Sequence, residues 1–277
     1  MRSLLEVKNL RVTDERDRDE IIHDVSFAIT ENSCLGIVGE SGSGKSMITK
    51  ALLGLTSPWL KSRGSAVFNT QGKALELLNQ EEKILRDIRG KHICMILQDA
   101  MSAFDPLGKI GDQMAETFVE NKNLSKKQSL KLVIEALEIM NIREPEQVIK
   151  KYPHQLSGGM LQRCMIATAL AMEPDLIIAD EPTTALDSIN QSQVVAEFKM
   201  IRKEMGTALI FISHDLGVVK HLSDRLLVMK DGCAVEYGDA ETIFKTPQHA
   251  YTKYLIDTRM ELTESFRKAM RKGDHDG

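Results

Sequence analysis

At 277 residues, with a net charge of −4 and a composition of 42% hydrophobic, 27% charged and 5% aromatic residues, the chain amounts to one large domain or two tightly joined subdomains. It is long enough to bury a substantial core without disulfides or a structural metal. That composition excludes the disordered and coiled-coil classes, and an acidic balance with Lys and Arg spread along the chain offers no footprint for a nucleic-acid backbone, so no nucleic-acid partner is expected.

Residues 1–30 alternate apolar and polar side chains (Leu5, Val7, Leu10, Val12, then Val25, Phe27, Ile29) on either side of the charged turn DERDRDE, the pattern of half-buried antiparallel strands. CLGIVG at 34–39 is an unbroken apolar run suited to a strand buried on both faces, and it feeds a glycine cluster and then a helix. Residues 60–90 hold a weaker strand, Ser65 to Phe68, a Gln-Gly turn at 71–72 and a charged stretch of no clear type. ICMIL at 93–97 is a second buried strand. The chain then turns helical: Ser125-Lys-Lys-Gln128 forms a capping box, with Leu130, Val133, Ile134 and Leu137 following at helical spacing. This block, about 100–172, is a helical insertion between core strands.

Pro174 stops a helix, LIIAD at 176–180 and ALIFIS at 208–213 are further buried strands, and a helix over roughly 188–205 lies between them. Alternating strands and helices imply a mainly parallel sheet covered on both faces. RLLVMKDGCAVEYG at 225–238 carries an Asp-Gly hairpin turn, and 241–277 is a short helical tail after a main domain spanning 1–240. The four cysteines, 34, 94, 164 and 233, show no metal-ligand spacing and are expected to be buried, reduced thiols. No apolar run approaches the ~20 residues that span a bilayer, and the N-terminus lacks a signal-peptide core. Any membrane role is therefore expected to be peripheral, on the cytoplasmic side.

Gly39-Glu-Ser-Gly-Ser-Gly-Lys45-Ser46 satisfies G-x-x-x-x-G-K-[ST] between a buried strand and a helix. Glycines let backbone N–H groups turn toward phosphate oxygens, the helix start adds its positive dipole end, Lys45 adds a full charge, and Ser46 offers a hydroxyl to Mg²⁺. Gly39, Ser41, Gly42, Ser43, Gly44, Lys45, Ser46 and Met47 form the candidate phosphate-binding set. Asp180 and Glu181 end a buried strand, and in a parallel sheet the carboxyl ends of strands gather at the ligand edge. Asp180 suits the metal and Glu181 the polarisation of an attacking water. Gln98 and His214 each follow a strand and reach the same edge, Gln98 beside metal and γ-phosphate. Leu156-Ser157-Gly158-Gly159-Met160-Leu161-Gln162-Arg163 opens a second helix as an anion site. One nucleotide needs only one phosphate loop, so the economical arrangement is a head-to-tail pair in which Ser157 to Gly159 of one domain closes the site of the other.

Taken in order, GESGSGKS, Gln98, LSGGMLQR, LIIADEPT at 176–183, ALD at 185–187 and His214 resemble the nucleotide-binding subunit of an ABC transporter over nearly the whole chain. The resemblance implies a RecA-like α/β P-loop NTPase core, an N-terminal antiparallel β subdomain and an α-helical subdomain carrying LSGG. It implies ATP and Mg²⁺ (Ser46, Gln98, Asp180) as cofactors, catalysis by Glu181, His214 and Gln98, Ser157, Gly158, Gly159 and Gln162 acting across a dimer, and Asp187 at the dimer interface. QDAMSAFDP at 98–106 and TPQHAYTKYL at 246–255 are similar to segments of the dipeptide, oligopeptide and nickel importer ATPases, with Leu161 and the short, cysteine-free tail closer in look to the nickel-type subunits. The partners so implied are a paralogous ATPase subunit, integral membrane permeases contacted near Gln98, Met101, Phe104 and Pro106, and indirectly a substrate-binding protein, at the cytoplasmic face of the cell membrane. The rival reading is a soluble ABC-type ATPase acting on nucleic acid or ribosomes. Two departures stand out: TDERDR at 13–18 lacks the aromatic residue that often stacks on adenine in the family, and Glu31-Asn32-Ser33 replaces a Gly-Glu turn, with Asn32 able to adopt the left-handed conformation.

Overall fold

The computed structural model describes residues 3–70, 72–183 and 188–258. In chain order it contains β1 (Ser3–Asp14), β2 (Glu20–Thr30), β3 (Cys34–Val38), α1 (Lys45–Leu52), β4 (Leu60–Thr70), β5 (Lys73–Glu76), α2 (Glu82–Ile88), β6 (Ile93–Ile96), α3 (Ala100–Ala103), α4 (Ile110–Lys122), α5 (Lys126–Ile139), α6 (Pro145–Val148), α7 (Gly158–Ala171), β7 (Leu176–Asp180), α8 (Ser188–Met205), β8 (Ala208–Ile212), α9 (Leu216–Leu222), β9 (Arg225–Lys230), β10 (Cys233–Asp239) and α10 (Ala240–Lys245). Helical backbone resumes over 250–258.

The strands form one mixed sheet in the order β5-β4-β1-β2-β10-β9-β3-β8-β7-β6. From β9 to β6 every pairing is parallel, so β3, β6, β7 and β8 all deliver their carboxyl ends to one edge. The β5-β4-β1-β2 end is antiparallel and meets the rest through a single parallel pair, Cys233 with His23. The β9–β10 hairpin turns at Asp231 and Gly232, both at positive φ (46° and 76°), as the Asp-Gly signal requires.

Why β3, β7 and β8 are apolar throughout follows from where their side chains go. Val38, Ile177, Ala179, Leu209 and Phe211 join one apolar cluster, with the helical insertion, while Leu35, Ile37, Leu176, Ile178, Ile210 and Ile212 join another, with α1 and the antiparallel strands. Each strand thus fills a core on both faces. The insertion packs Phe118 of α4, Val133 and Leu137 of α5 and Leu161 of α7 together, all buried. Ser125 caps α5 with both halves of the capping box present.

Three sequence expectations change. The weak strand at Ser65–Phe68 is the middle of the longer β4, whose outer residues are exposed or half-buried and are held by backbone pairing with β1 and β5 instead of by apolar alternation. The unclear stretch to residue 90 contains β5 and α2. Of the cysteines, 34, 94 and 164 are buried, but Cys233 is half-buried on β10. Asn32 does take the left-handed conformation, φ 56°. No described helix is long and apolar enough to cross a membrane.

Candidate functional site

The loop between β3 and α1 is built on positive φ: Gly39 at 154°, Gly42 at 83° and Gly44 at 94°, angles that side chains with a Cβ rarely adopt. Gly44 is the N-cap of α1, so the helix opens directly on the loop. Met47 lies one turn in, where its N–H donates to the Gly44 carbonyl at 3.0 Å and its side chain packs on the core cluster. Lys45 is buried, at 6% exposure, and its ammonium folds back to the carbonyl oxygens of Gly39 and Glu40, at 2.9 and 2.7 Å. Burial pulls its pKa down, opposed by the charges of Glu181, Asp180 and Glu40.

Across the loop, Asp180 ends β7. Its carboxylate accepts a hydrogen bond from the Ser46 hydroxyl at 2.9 Å, joining residues 134 positions apart. Burial pushes the Asp180 carboxyl up, the Ser46 bond holds it down, and the neighbouring Glu181 charge adds to the upward push. Hydroxyl, carboxylate and amide oxygens are the donor types that Mg²⁺ prefers, and a cation here would offset the burial that strains Asp180.

Glu181 stands at φ 46°, a conformation that costs a non-glycine residue on the order of 1–3 kcal/mol. Its N–H is fixed by the Ile212 carbonyl of β8 at 3.0 Å, and its carboxylate meets Gln98 Nε2 at 3.2 Å and His214 Nδ1 at 3.3 Å. The next residue, Asp215, caps α9 through the N–H groups of Gly217 and Val218. Three strand ends therefore bring Gln98, Glu181 and His214 together, beside the Ser46–Asp180 pair.

Ser157 is the N-cap of α7, accepting from the Met160 N–H at 3.3 Å. Ser157 and Gly158 are exposed, and a Cβ on Gly158 would meet nothing within 4 Å. Among the described residues no hydrogen bond joins this segment to the phosphate loop. Gln162 departs from the expected set: it is buried, and its Nε2 donates to the Leu97 carbonyl at 3.4 Å, so its side chain faces its own chain because the helix turns it inward. Asp187 lies outside the described residues.

Where an aromatic residue is missing at 13–18, the loop holds a different device. Asp14 takes hydrogen bonds from the Arg16 guanidinium at 2.6 and 3.0 Å, and that guanidinium lies 4.7 Å over the ring of Trp59. Ile22 packs beneath Gly44, whose added Cβ would stand 2.5 Å from Ile22 Cδ1. Two contacts at the rim have no counterpart in the sequence reading. Gln191 of α8 donates to Asp215 at 2.9 Å, and the Glu40 N–H donates to the Tyr251 hydroxyl at 3.1 Å. The similarity of TPQHAYTKYL to importer ATPases marks that tyrosine, but nothing in the segment points to a loop 211 residues upstream.

With this geometry in hand, comparison with known proteins is specific. The ABC transporter family model matches residues 22–184. The metal-staphylopine import system ATP-binding protein CntD of Staphylococcus aureus is 43% identical over 274 residues, 99% of this chain and 100% of that protein. The oligopeptide transport ATP-binding protein OppD of Salmonella typhimurium is 41% identical over 256 residues, 92% of this chain and 75% of that protein. Among solved structures, the dimeric post-hydrolysis state of the ATP-binding cassette MJ0796 bound to ADP and phosphate superposes with a TM-score of 0.75 at 26% identity, covering 85% of this chain and 98% of that one. A phosphate loop facing the paired carboxylates of β7, on a fold shared with a nucleotide-bound cassette and in a sequence so close to transport ATPases, places the chain in the ABC transporter family as one of its ATP-hydrolysing subunits.

Proposed function

We propose that this subunit powers an importer of metal chelates, nickel among them, or of peptides, working as one half of a head-to-tail ATPase pair on the cytoplasmic face of the membrane. The observation that carries the pairing is the separation of the two anion-binding helix starts. The phosphate loop is completed within the chain, whereas Ser157 and Gly158 open α7 outward and have their use on the nucleotide of a second subunit. The similarity to CntD and OppD supports import and the two solute classes, and the dimeric MJ0796 cassette supports a pair.

In this reading Lys45 keeps its bond to the Gly39 carbonyl and turns its remaining N–H donors to the phosphates, whose charge offsets its burial. Ser46, Asp180 and Gln98 hold Mg²⁺, which supplies charge neutralisation at the phosphates when bound. Glu181 polarises a water; the water oxygen bonds to the γ-phosphorus as the bond to the β-phosphate oxygen breaks, and the water proton passes to the carboxylate. Gln98 and His214 orient that carboxylate. ATP favours the paired state and hydrolysis releases it, because only a ligand with different affinity for two states shifts them.

The motion has a place to act. A groove of about 780 Å³ lies between the β6 edge and the helical insertion, lined by Leu55, Met95, Phe104, Met114 and Met165, and Met101 and Leu107 are exposed on the α3 segment beside it. We assign this groove to the permease. Replacing Ser157 by Arg tests the pairing: turnover falls by about 100-fold or more, the size of a lost transition-state contact set, while the isolated chain binds ATP as before. Unchanged turnover contradicts the pair. Recovery of the wild-type chain with nucleic acid or ribosomes instead of integral membrane subunits contradicts the importer.

A further inference from the structure

The phosphate loop is supported from behind by two elements that no part of the ATP chemistry accounts for. The first is the β9–β10 turn. A Cβ on Gly39 would stand 2.2 Å from the Met229 carbonyl oxygen, so loop and strand are in direct backbone contact, and the Gly232 N–H donates to the Ser43 carbonyl at 3.3 Å. The second is the C-terminal segment. Tyr251 is buried in the same apolar cluster as Phe244, Leu255 and Ile256, Lys230 lies 5.2 Å over its ring, and its hydroxyl accepts the Glu40 N–H at 3.1 Å.

The peptide that Tyr251 touches is the important one. The Glu40 N–H and the Gly39 C=O belong to a single planar peptide unit. Its oxygen holds Lys45 Nζ at 2.9 Å while its N–H holds Tyr251. One rigid plane is thus pinned at both ends, by the phosphate-loop lysine and by a tyrosine from the far end of the chain. The segment carrying the tyrosine is itself anchored. Glu236 of β10 accepts the N–H groups of Gln248 and His249 at 2.9 and 3.1 Å, and the Tyr251 N–H donates to His249 Nδ1 at 3.1 Å. Against the upward push of burial, hydrogen bonds hold the Glu236 carboxyl below its ordinary range, so this anchor is ionised near neutral pH.

We propose that Tyr251 is a positioning residue of the ATP site, its hydroxyl fixing the Gly39–Glu40 peptide plane and, through the Gly39 carbonyl, the position from which Lys45 meets the phosphates. The proposal rests on the phosphate loop binding ATP. Gln98, Glu181 and His214 stand on other strands, so loss of the hydroxyl weakens ATP binding and spares the chemical step.

The test compares the full-length wild type with Tyr251→Phe, which keeps the buried ring, and with Tyr254→Phe, an exposed tyrosine of the same helix at 58% exposure. ATP affinity is measured by calorimetry, kcat and KM by turnover, and amide exchange at Glu40 by NMR or mass spectrometry. In Tyr251→Phe the Kd and KM for ATP rise about five-fold, the size of one ordinary hydrogen bond. Its kcat stays within about two-fold, its Glu40 amide exchanges about ten-fold faster, and Tyr254→Phe matches the wild type. Equal ATP affinity in Tyr251→Phe and wild type, unchanged Glu40 exchange, or a fall in kcat with KM constant would each overturn the proposal. A wild type that fails to bind ATP would overturn the ATP-site reading beneath it.

Discussion

Lys45 and Asp180 are each buried to 6% exposure, and the two respond in opposite directions: burial lowers the pKa of the lysine and raises that of the aspartate. Each is driven toward its neutral form until opposite charge arrives, which is how a site waits for a polyphosphate and a cation. Glu197 of α8 shows the same physics away from the site. Burial raises its carboxyl from 4.5 to about 7, with Arg163 opposing the shift. Between those values the folded chain binds a proton that the unfolded chain has lost, so the stability contributed by Glu197 is complete at low pH and disappears as pH rises through about 7. Thermal melts of wild type and Glu197→Gln at pH 5 and pH 8 read this directly. The wild type loses stability over that range that the variant keeps, by about 3 kcal/mol at most; parallel losses in the two proteins contradict the assignment. At this scale Gln98, Glu181 and His214 were legible, because each ends an apolar run whose direction in a parallel sheet is set. The inward turn of Gln162 was hidden by the signature motif around it. The Tyr251–Glu40 contact was hidden too, because it joins residues 211 apart in sequence and no local pattern encodes such a pair.

Among the elements, those that carry their own signals matched expectation: β3, β7 and β8 by unbroken apolar runs, the β9–β10 hairpin by Asp-Gly, and α5 by Ser125 and Gln128. Of β4 only the middle was read, and β5 not at all, because they sit at the sheet end where many side chains face solvent and partner backbones, not apolar alternation, hold them. The α5 cap offers a control that separates folding from nucleotide chemistry. Ser125 accepts the Gln128 N–H, and the Gln128 side chain returns a bond to the Ser125 N–H at 3.0 Å. Ser125→Ala costs about 1 kcal/mol and lowers Tm by about 2–4 °C for a chain of this size, with ATP affinity unchanged because α5 does not touch the phosphate loop. Calorimetric melting and ATP titration of the variant check both halves; a changed ATP affinity contradicts the separation of insertion and loop.

For the whole molecule, one sheet edge gathers a phosphate loop, a carboxylate pair, an amide and an imidazole, while the Ser157-capped start of α7 opens outward from the insertion. The first arrangement was readable from strand direction; for the second, the sequence marked the hydroxyl and glycines that open α7. The Arg16–Trp59 stack was not readable, because the 13–18 loop has no aromatic residue of its own and the contact depends on β1 and β4 pairing across the chain. The central claim is that Glu181 drives hydrolysis within a closed pair of ATPase subunits. Glu181→Gln, assayed on the full chain together with the ATPase subunit that copurifies with it, tests this most directly by turnover and light scattering in the presence of ATP. The account predicts retained ATP binding, turnover lowered by about 10²–10⁴, and an ATP-bound dimer that persists; near-normal turnover, or subunits that stay apart with ATP bound, would contradict it.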